Sequence, residues 1–153
     1  MALYVKIFMM RLFLVILCLF FSSTVVSGGM SWVVKVTEFK KLADLSVIVE
    51  VEYLRESDAV SDKCITKKIY IDFDPIHFSS YVTHSYLTES NHKRAIEILE
   101  RANAKNQTIR FGQMGSGLKK INSSSGCEYK SRGVSELEEF DGKMAIYSFY
   151  NPV

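Results

Sequence analysis

Residues 68–127 constrain the fold more than any other stretch of the sequence. Residues 68–73 alternate apolar and polar side chains, as a half-buried strand does. Residues 90–106 then have the spacing of an amphipathic helix, residues 107–114 alternate again, and a loop rich in serine and glycine leads to Cys127. We therefore expect a mainly β fold with one helix set between strands.

The segments before this stretch predict two more strands. Residues 32–39 alternate in part, and the clearest alternation in the chain places Val47, Val49, Val51 and Tyr53 on one face. One face is then core and the other largely solvated, as an antiparallel sheet permits.

The helix and the C-terminal segments carry their own boundary signals. Ser90 or Asn91 is the predicted N-cap. Asp141-Gly142 is a hairpin signal that precedes a strand at residues 143–150, while residues 135–139 fit either a strand or a turn. The pattern of residues 76–88 fits a strand, a short helix or a packed loop equally well.

The predicted order is three strands, a helix and two strands. This connectivity is that of an OB-like five-stranded barrel. The alternative is an open antiparallel α+β sheet with the helix packed on one face.

The first 28 residues have the order of a secretory signal peptide. Lys6 and Arg11 precede an apolar run at residues 12–21, small and polar residues follow, and Val26-Ser27-Gly28 fits a cleavage site. We therefore expect a signal peptide at 1–28, a single domain at 29–153, and a secreted or periplasmic protein.

An uncleaved membrane anchor at residues 12–26 is the alternative. It would be the protein's contact with a membrane, but it has 15 positions where a spanning helix needs roughly 20.

The net charge of the chain limits the class of partner that it is expected to bind. Removal of residues 1–28 leaves 17 basic residues (19 less Lys6 and Arg11) and 17 acidic residues, so the mature chain is formally neutral. A nucleic-acid partner is not expected, because proteins that bind phosphate backbones usually carry a basic excess.

Two cysteines remain after export. Cys18 leaves with the signal, and Cys64 and Cys127 are predicted to form a disulfide in an oxidising compartment. A loop of about 60 residues closed in this way contributes on the order of 4 kcal/mol on the chain-entropy model. The chain has no CxxC motif.

No catalytic, metal or cofactor constellation stands out. His77, His84 and His92 are irregularly spaced, which favours surface loop histidines over a metal site. The glycines at 112, 115 and 117 lack the Gly-Lys-Ser/Thr order of a phosphate loop. We therefore predict no cofactor and no metal ion.

Aromatic and basic side chains are the candidates for binding. Tyr81, Tyr86 and Tyr129 are predicted to lie in loops between strands. For Arg110, Lys119, Lys120, Lys130 and Arg132, a solvated charged face is favoured, and a local basic patch around the barrel mouth is the alternative. The binding candidates are Tyr81, Tyr86, Arg110, Tyr129 and Arg132.

Part of the chain resembles a family of small exported OB-like proteins of Gram-negative bacteria, which includes the binding subunits of subtilase-cytotoxin-type AB5 toxins. The resembling elements are an apolar strand that ends in an acid (Tyr70-Ile71-Asp72-Phe73), the helix segment Arg94-Ala95-Ile96-Glu97-Ile98-Leu99, the turn Ala104-Lys105-Asn106, the strand Thr108-Ile109-Arg110-Phe111 and a loop cysteine.

The resemblance implies a secreted barrel that binds a glycan or a protein, can form a homo-oligomer and does not catalyse a reaction. Residues 111–127 are longer, and residues 143–150 are added, relative to the family pattern. No residue of a known sugar site is carried over.

Three hypotheses follow for the function. The first is an exported non-catalytic binding or adaptor module. The second is a small secreted or periplasmic enzyme or enzyme inhibitor that uses Asp72, Asp74, His77 and His84. The third is a membrane-anchored envelope protein held by residues 12–26.

Overall fold

The computed structural model describes residues 30–54, 64–74, 86–114, 117–139 and 141–150. The predicted signal peptide at 1–28 lies outside these residues. The described part forms eight strands and one helix: β1 Met30–Ala43, β2 Ser46–Tyr53, β3 Thr66–Ile71, α1 Glu89–Ala104, β4 Thr108–Met114, β5 Lys119–Lys120, β6 Glu128–Ser131, β7 Gly133–Glu138 and β8 Met144–Phe149.

All eight strands belong to one curled sheet in the order β5-β6-β3-β2-β1-β4-β8-β7. Two neighbouring pairs are parallel, β3 with β6 and β4 with β8, and the others are antiparallel. The prediction of a mainly β fold with one helix is confirmed.

The finer predictions of the architecture are wrong. The sheet is not a five-stranded OB-like barrel, because the chain after β4 adds strands at both outer ends: β5 and β6 beside β3, and β7 and β8 beside β4. The strands that would close a barrel thus lie at opposite edges. The alternative of a wholly antiparallel sheet fails at the two parallel pairs.

The alternation in β2 builds the centre of the core. Val47, Val49 and Val51 are fully buried and Tyr53 is nearly so, while the residues between them are partly exposed. On β3, Ile69 and Ile71 pair with Val49 and Val47 and are buried on the same face. The predicted inner face of both strands is confirmed.

Helix α1 covers this core with the face predicted from its spacing. Ala95, Leu99 and Ala102 are buried, as is Ile96. The predicted N-cap at Ser90 or Asn91 is wrong: the cap is Thr88, whose extended backbone lets its side chain accept a hydrogen bond from the Asn91 amide at 3.2 Å.

The predicted hairpin at Asp141-Gly142 is confirmed, and residues 133–138 are a strand. Gly142 has a φ of +75°, a conformation that glycine adopts without steric cost, and its amide donates to the Glu139 carbonyl at 2.9 Å. The hairpin pairs β7 with β8 at one edge of the sheet.

The chain that enters α1 crosses edge strand β7. The Ser135 hydroxyl donates to the Tyr86 carbonyl at 2.8 Å, and a Cβ added to Gly133 would lie 2.6 Å from Leu87 Cδ1. Gly133 therefore permits a close approach that covers part of this edge.

Candidate functional site

The disulfide between Cys64 and Cys127 is present, as predicted, and brings together residues 63 positions apart with a Cα–Cα distance of 5.6 Å. It joins the segments that lead into β3 and β6. Beside it, the Lys68 amide donates to the Cys127 carbonyl at 3.0 Å. The parallel pair of β3 and β6 is thus fixed both covalently and by hydrogen bonds.

The sheet edge held by this disulfide is rich in cations. We call residues 64–74 and 117–132, which contain β3, β5 and β6, the basic edge. It carries six basic side chains and three acidic ones, a net charge of +3. The basic residues are Lys67, Lys68, Lys119, Lys120, Lys130 and Arg132, and the acidic residues are Asp72, Asp74 and Glu128.

Strand register brings several of these cations together. Lys119 is the register partner of Lys130 across β5 and β6, and Lys130 is in turn the partner of Tyr70 on β3. Lys130 Nζ lies 3.5 Å from Asp72 Oδ2, and both side chains are about half exposed. Lys119 is exposed and forms no ion pair with any described residue.

Arg132 lies at the junction between β6 and β7, against Tyr150. Its Cζ is 5.2 Å from the Tyr150 ring centroid, and Lys119 Nζ is 5.8 Å from the same centroid, distances typical of cation–π contacts. Arg132 Nε lies 4.0 Å from Asp74 Oδ2. Its buried Nη1 has no hydrogen-bond acceptor in the described part of the chain. The guanidinium thus retains unused donor capacity.

Tyr129, a predicted binding residue, lies in strand β6 and is 5% exposed, so it is not in a loop as expected. The reason is its register with Ile69, which directs it to the core face. Lys67 Nζ lies 4.9 Å from the Tyr129 ring centroid and 5.1 Å from that of Tyr53. This buried lysine between two tyrosines was not predictable from the sequence pattern.

Arg110 does not join the other cations, so the alternative of a basic patch that contains all five residues is wrong. It lies on β4, and three strands separate β4 from β6. Arg110 Nε donates a hydrogen bond to Ser31 Oγ at 3.2 Å. The same Nε lies 2.6 Å from Glu139 Oε2, and the two side chains form an ion pair. A second, longer contact of 3.9 Å reaches Asp141.

Glu139 is the centre of this second polar cluster. Its Oε1 accepts hydrogen bonds from the Ser31 hydroxyl and, at 2.7 Å, from the Tyr147 hydroxyl. Burial, followed by the bond to the Glu139 carboxylate, raises the pKa of Tyr147 to about 12. Glu139 Oε2 is buried and has an ion-pair contact with Arg110 but no hydrogen-bond donor among the described residues. The bonds of Oε1 link the β7–β8 turn to the start of β1.

His92 is fully buried in α1, so the prediction of a surface loop histidine is wrong for this residue. The Val134 amide donates to Nδ1 at 3.1 Å, which makes Nδ1 an acceptor and leaves the proton on Nε2, 3.0 Å from the Leu45 carbonyl. Burial lowers the pKa of His92 below its usual value. A neutral ring therefore joins α1 to β7 and to the β1–β2 turn.

The spacing of the helix contained a signal for this role. His92 precedes Ala95, Ile96 and Leu99 by three, four and seven positions, and so shares their buried face. The backbone partners of the ring come from distant segments and were not predictable.

The remaining candidate site residues do not lie together in one site within the described residues. Tyr86 lies just before α1 and is partly buried, and its carbonyl accepts from Asn91 Nδ2 at 2.9 Å. Asp72 and Asp74 of the enzyme hypothesis lie at the basic edge, beside Lys130 and Arg132. Tyr81, His77 and His84 fall outside the described residues.

The described residues contain no group of three or more His, Cys, Asp or Glu side chains arranged to hold a metal ion. None of their helices is both long and apolar enough to cross a membrane.

Comparison with protein-family models, with curated proteins and with solved structures finds no match for this chain.

Proposed function

We propose that the protein is an exported, non-catalytic binding or adaptor module that recognises an anionic group on a glycan or on another protein. The observation that carries this proposal is the basic edge, with a net charge of +3 in a mature chain that is neutral overall. Opposite charge on a ligand would be attracted to this edge, and such steering depends on ionic strength.

The geometry of the basic edge supports the proposal in two ways. Lys119 is exposed and Lys130 is half exposed, so both ammonium groups can contact a ligand, while Arg132 and Lys119 both lie over Tyr150. The disulfide restrains the strands that carry them. A rigid edge loses little conformational entropy when a ligand binds.

The resemblance to binding subunits of toxins agrees with this proposal and implies one class of ligand, a glycan. Export also agrees with it, since the disulfide is a bond of oxidising compartments. Secretion into the periplasm or the medium remains part of the proposal.

The test is a glycan and protein array probed with the exported protein at low and high salt. The double variant Lys119→Gln/Lys130→Gln removes two charges from the basic edge. Its matched control, Lys40→Gln/Lys105→Gln, removes two exposed charges elsewhere. We expect ligands whose binding weakens with salt and falls at least about tenfold in the first variant only.

Equal losses in both variants would show that net charge alone drives the binding. An array without any reproducible ligand would contradict the proposed function.

A further inference from the structure

A row of side chains crosses four neighbouring strands on the face of the sheet opposite helix α1. Lys119 of β5 is the register partner of Lys130 on β6, Lys130 is that of Tyr70 on β3, and Tyr70 is that of Ile48 on β2. Register partners point to the same face of a sheet, whereas Ile69, next to Tyr70, points into the core. We call Lys119, Lys130, Tyr70 and Ile48 the Tyr70 row.

The Tyr70 row joins an apolar surface to a pair of cations. Tyr70 and Ile48 are partly exposed, and Lys119 and Lys130 are exposed. Neighbouring strands lie about 4.8 Å apart, so the row spans about 14 Å. It therefore fits a small ligand that has both an apolar face and a negative charge.

The two lysines at the end of the row favour an anion between them. Side chains that are directly opposite on antiparallel strands lie about 5 Å apart at Cβ, and like charges in this arrangement repel each other. An anionic group that contacts both ammonium groups replaces this repulsion with attraction. Lysine has no planar fork of donors that matches a carboxylate, as arginine has. A tetrahedral oxyanion, whose oxygens point in several directions, suits two separate ammonium groups better.

Carboxylates lie on the same face beside Tyr70. The Tyr70 hydroxyl donates to Glu128 Oε2 at 3.4 Å, and Lys68 Nζ lies 5.7 Å from the Tyr70 ring centroid. Lys68 is the register partner of both Glu128 on β6 and Glu50 on β2, so charges of alternating sign run parallel to the Tyr70 row. Carboxylates are acceptors for hydroxyl groups. The face thus offers acceptors beside the ring and cations further along the row.

This combination favours a sugar over a protein partner. A stable protein interface covers about 800 Å² on each side and is depleted of charge at its centre. Here Tyr70 and Ile48 are bordered by lysines and glutamates instead. A pyranose carries C–H groups on one face, which suit the electron-rich face of an aromatic ring, and hydroxyl groups around its rim, which suit carboxylates.

We infer that the Tyr70 row binds a pyranose that carries a tetrahedral oxyanion ester, either sulfate or phosphate. The sugar ring stacks on Tyr70 and extends over Ile48, and the ester group lies between the ammonium groups of Lys119 and Lys130. The inference rests on the proposed function, because it uses the same two lysines. It adds Tyr70 to the site and defines the class of ligand.

Titration calorimetry of the exported protein at low salt tests the class of ligand. The ester probes are a κ-carrageenan hexasaccharide, which has sulfate esters and no carboxylate, and a mannose pentasaccharide with one phosphate ester. The controls are the same carrageenan after desulfation and a hexamer of galacturonic acid, whose charges are carboxylates. We expect at least one ester probe to bind about tenfold more tightly than both controls. The tighter of the two ester probes identifies the ester.

Two substitutions of Tyr70 test the stacking. Tyr70→Thr removes the ring and keeps a residue that suits a strand, and we expect the affinity for the ester probe to fall at least about tenfold. Tyr70→Phe keeps the ring and removes the contact with Glu128, and we expect a loss of no more than about threefold. Near-ultraviolet circular dichroism checks folding. If Tyr70→Thr does not fold, Ile48→Thr takes its place, with an expected loss of about threefold.

Four results would overturn the inference: no binding of either ester probe, tighter binding of the galacturonic acid hexamer than of both, unchanged affinity in Tyr70→Thr, and equal losses in Tyr70→Thr and Tyr70→Phe. The double variant Lys119→Gln/Lys130→Gln separates this inference from the proposed function. If it loses affinity while Tyr70→Thr does not, the anionic ligand stands and the stacked sugar fails. If the desulfated sugar binds as tightly as the sulfated one, both fail.

Discussion

The two edges of the sheet carry opposite charges and use them differently. The basic edge has a net charge of +3, whereas the β7–β8 hairpin at the other edge has a net charge of −3. The charged residues of the hairpin are Glu136, Glu138, Glu139, Asp141 and Lys143.

The hairpin uses two of its acids to hold the fold together. Glu139 contacts Arg110 of β4, and Glu136 Oε2 lies 2.7 Å from Arg94 Nε of α1. At the basic edge, by contrast, Lys119 and Lys120 are exposed and form no ion pair within the described residues. Two acids of the hairpin thus pair with cations of β4 and α1, whereas two lysines of the basic edge form no ion pair with any described residue.

Removal of the disulfide is expected to have the largest effect on this comparison. With Cys64→Ala/Cys127→Ala, the unfolding free energy should fall by about 4 kcal/mol, because the unfolded chain is no longer restrained across a 63-residue separation. Chemical denaturation measures this loss.

Reduction of the unsubstituted protein is the control and should give a similar loss. Hydrogen exchange should accelerate more in β3 and β6 than in β7 and β8, since the disulfide restrains only the former. An unchanged unfolding free energy would mean that the disulfide does not contribute to stability.

Glu139→Gln is expected to have the next largest effect. It removes the negative charge beside Arg110, whose side chain is 29% exposed and would lose its closest ionic partner. Breaking a largely buried pair of this kind costs about 2 kcal/mol after allowance for the partial exposure. Urea denaturation measures the change.

Asp141→Asn is the matched control for Glu139→Gln. Asp141 also contacts Arg110, but at 3.9 Å and with a half-exposed carboxylate. The same carboxylate lies 3.0 Å from Lys143 Nζ and accepts from the Lys143 amide at 3.2 Å, and these contacts are exposed. We therefore expect a loss of stability well below that of Glu139→Gln. Equal effects of the two substitutions would show that the hairpin does not depend on its buried acid.

A dependence of stability on pH is expected from His92. Burial lowers its pKa below the usual 6.5, so the folded state keeps a neutral ring while the unfolded chain takes up a proton as the pH falls. The stabilisation is complete above pH 6.5 and declines as the pH falls from there towards the lowered pKa. The slope is at most about 1.4 kcal/mol per pH unit.

Denaturation of the protein and of His92→Gln between pH 7.5 and about 5 tests this dependence. A protonated ring would place an N–H at Nδ1 against the Val134 amide, two donors facing each other. The variant should be less stable at neutral pH but should show a shallower slope. Parallel pH profiles would exclude His92 as the source.

The local elements could be predicted from the sequence, because each depends on residues close together in the chain. The alternation of Val47, Val49 and Val51 defined a buried strand face, and Asp141-Gly142 defined a hairpin. The pairing of Cys64 with Cys127 followed from the sequence, since they are the two cysteines outside the predicted signal peptide.

The sheet order could not be predicted, because it depends on pairings between distant segments. The parallel pairing of β6 with β3 is what directs Tyr129 into the core, and the position of β4 is what separates Arg110 from the basic edge. The same limit applies to the candidate site: the sequence identified the cations but not which of them would be neighbours.

The smallest change in stability is expected at the basic edge itself. Lys119 and Lys130 are register partners of like charge, so Lys119→Gln/Lys130→Gln removes a repulsion as well as the exposed 3.5 Å contact of Lys130 with Asp72. The unfolding free energy should therefore change by no more than about 0.5 kcal/mol. Denaturation of this variant beside Glu139→Gln gives the direct comparison of the two edges. A loss as large as that of Glu139→Gln would mean that the basic edge, like the hairpin, uses its charges to stabilise the fold. These cations would then not be available to a ligand.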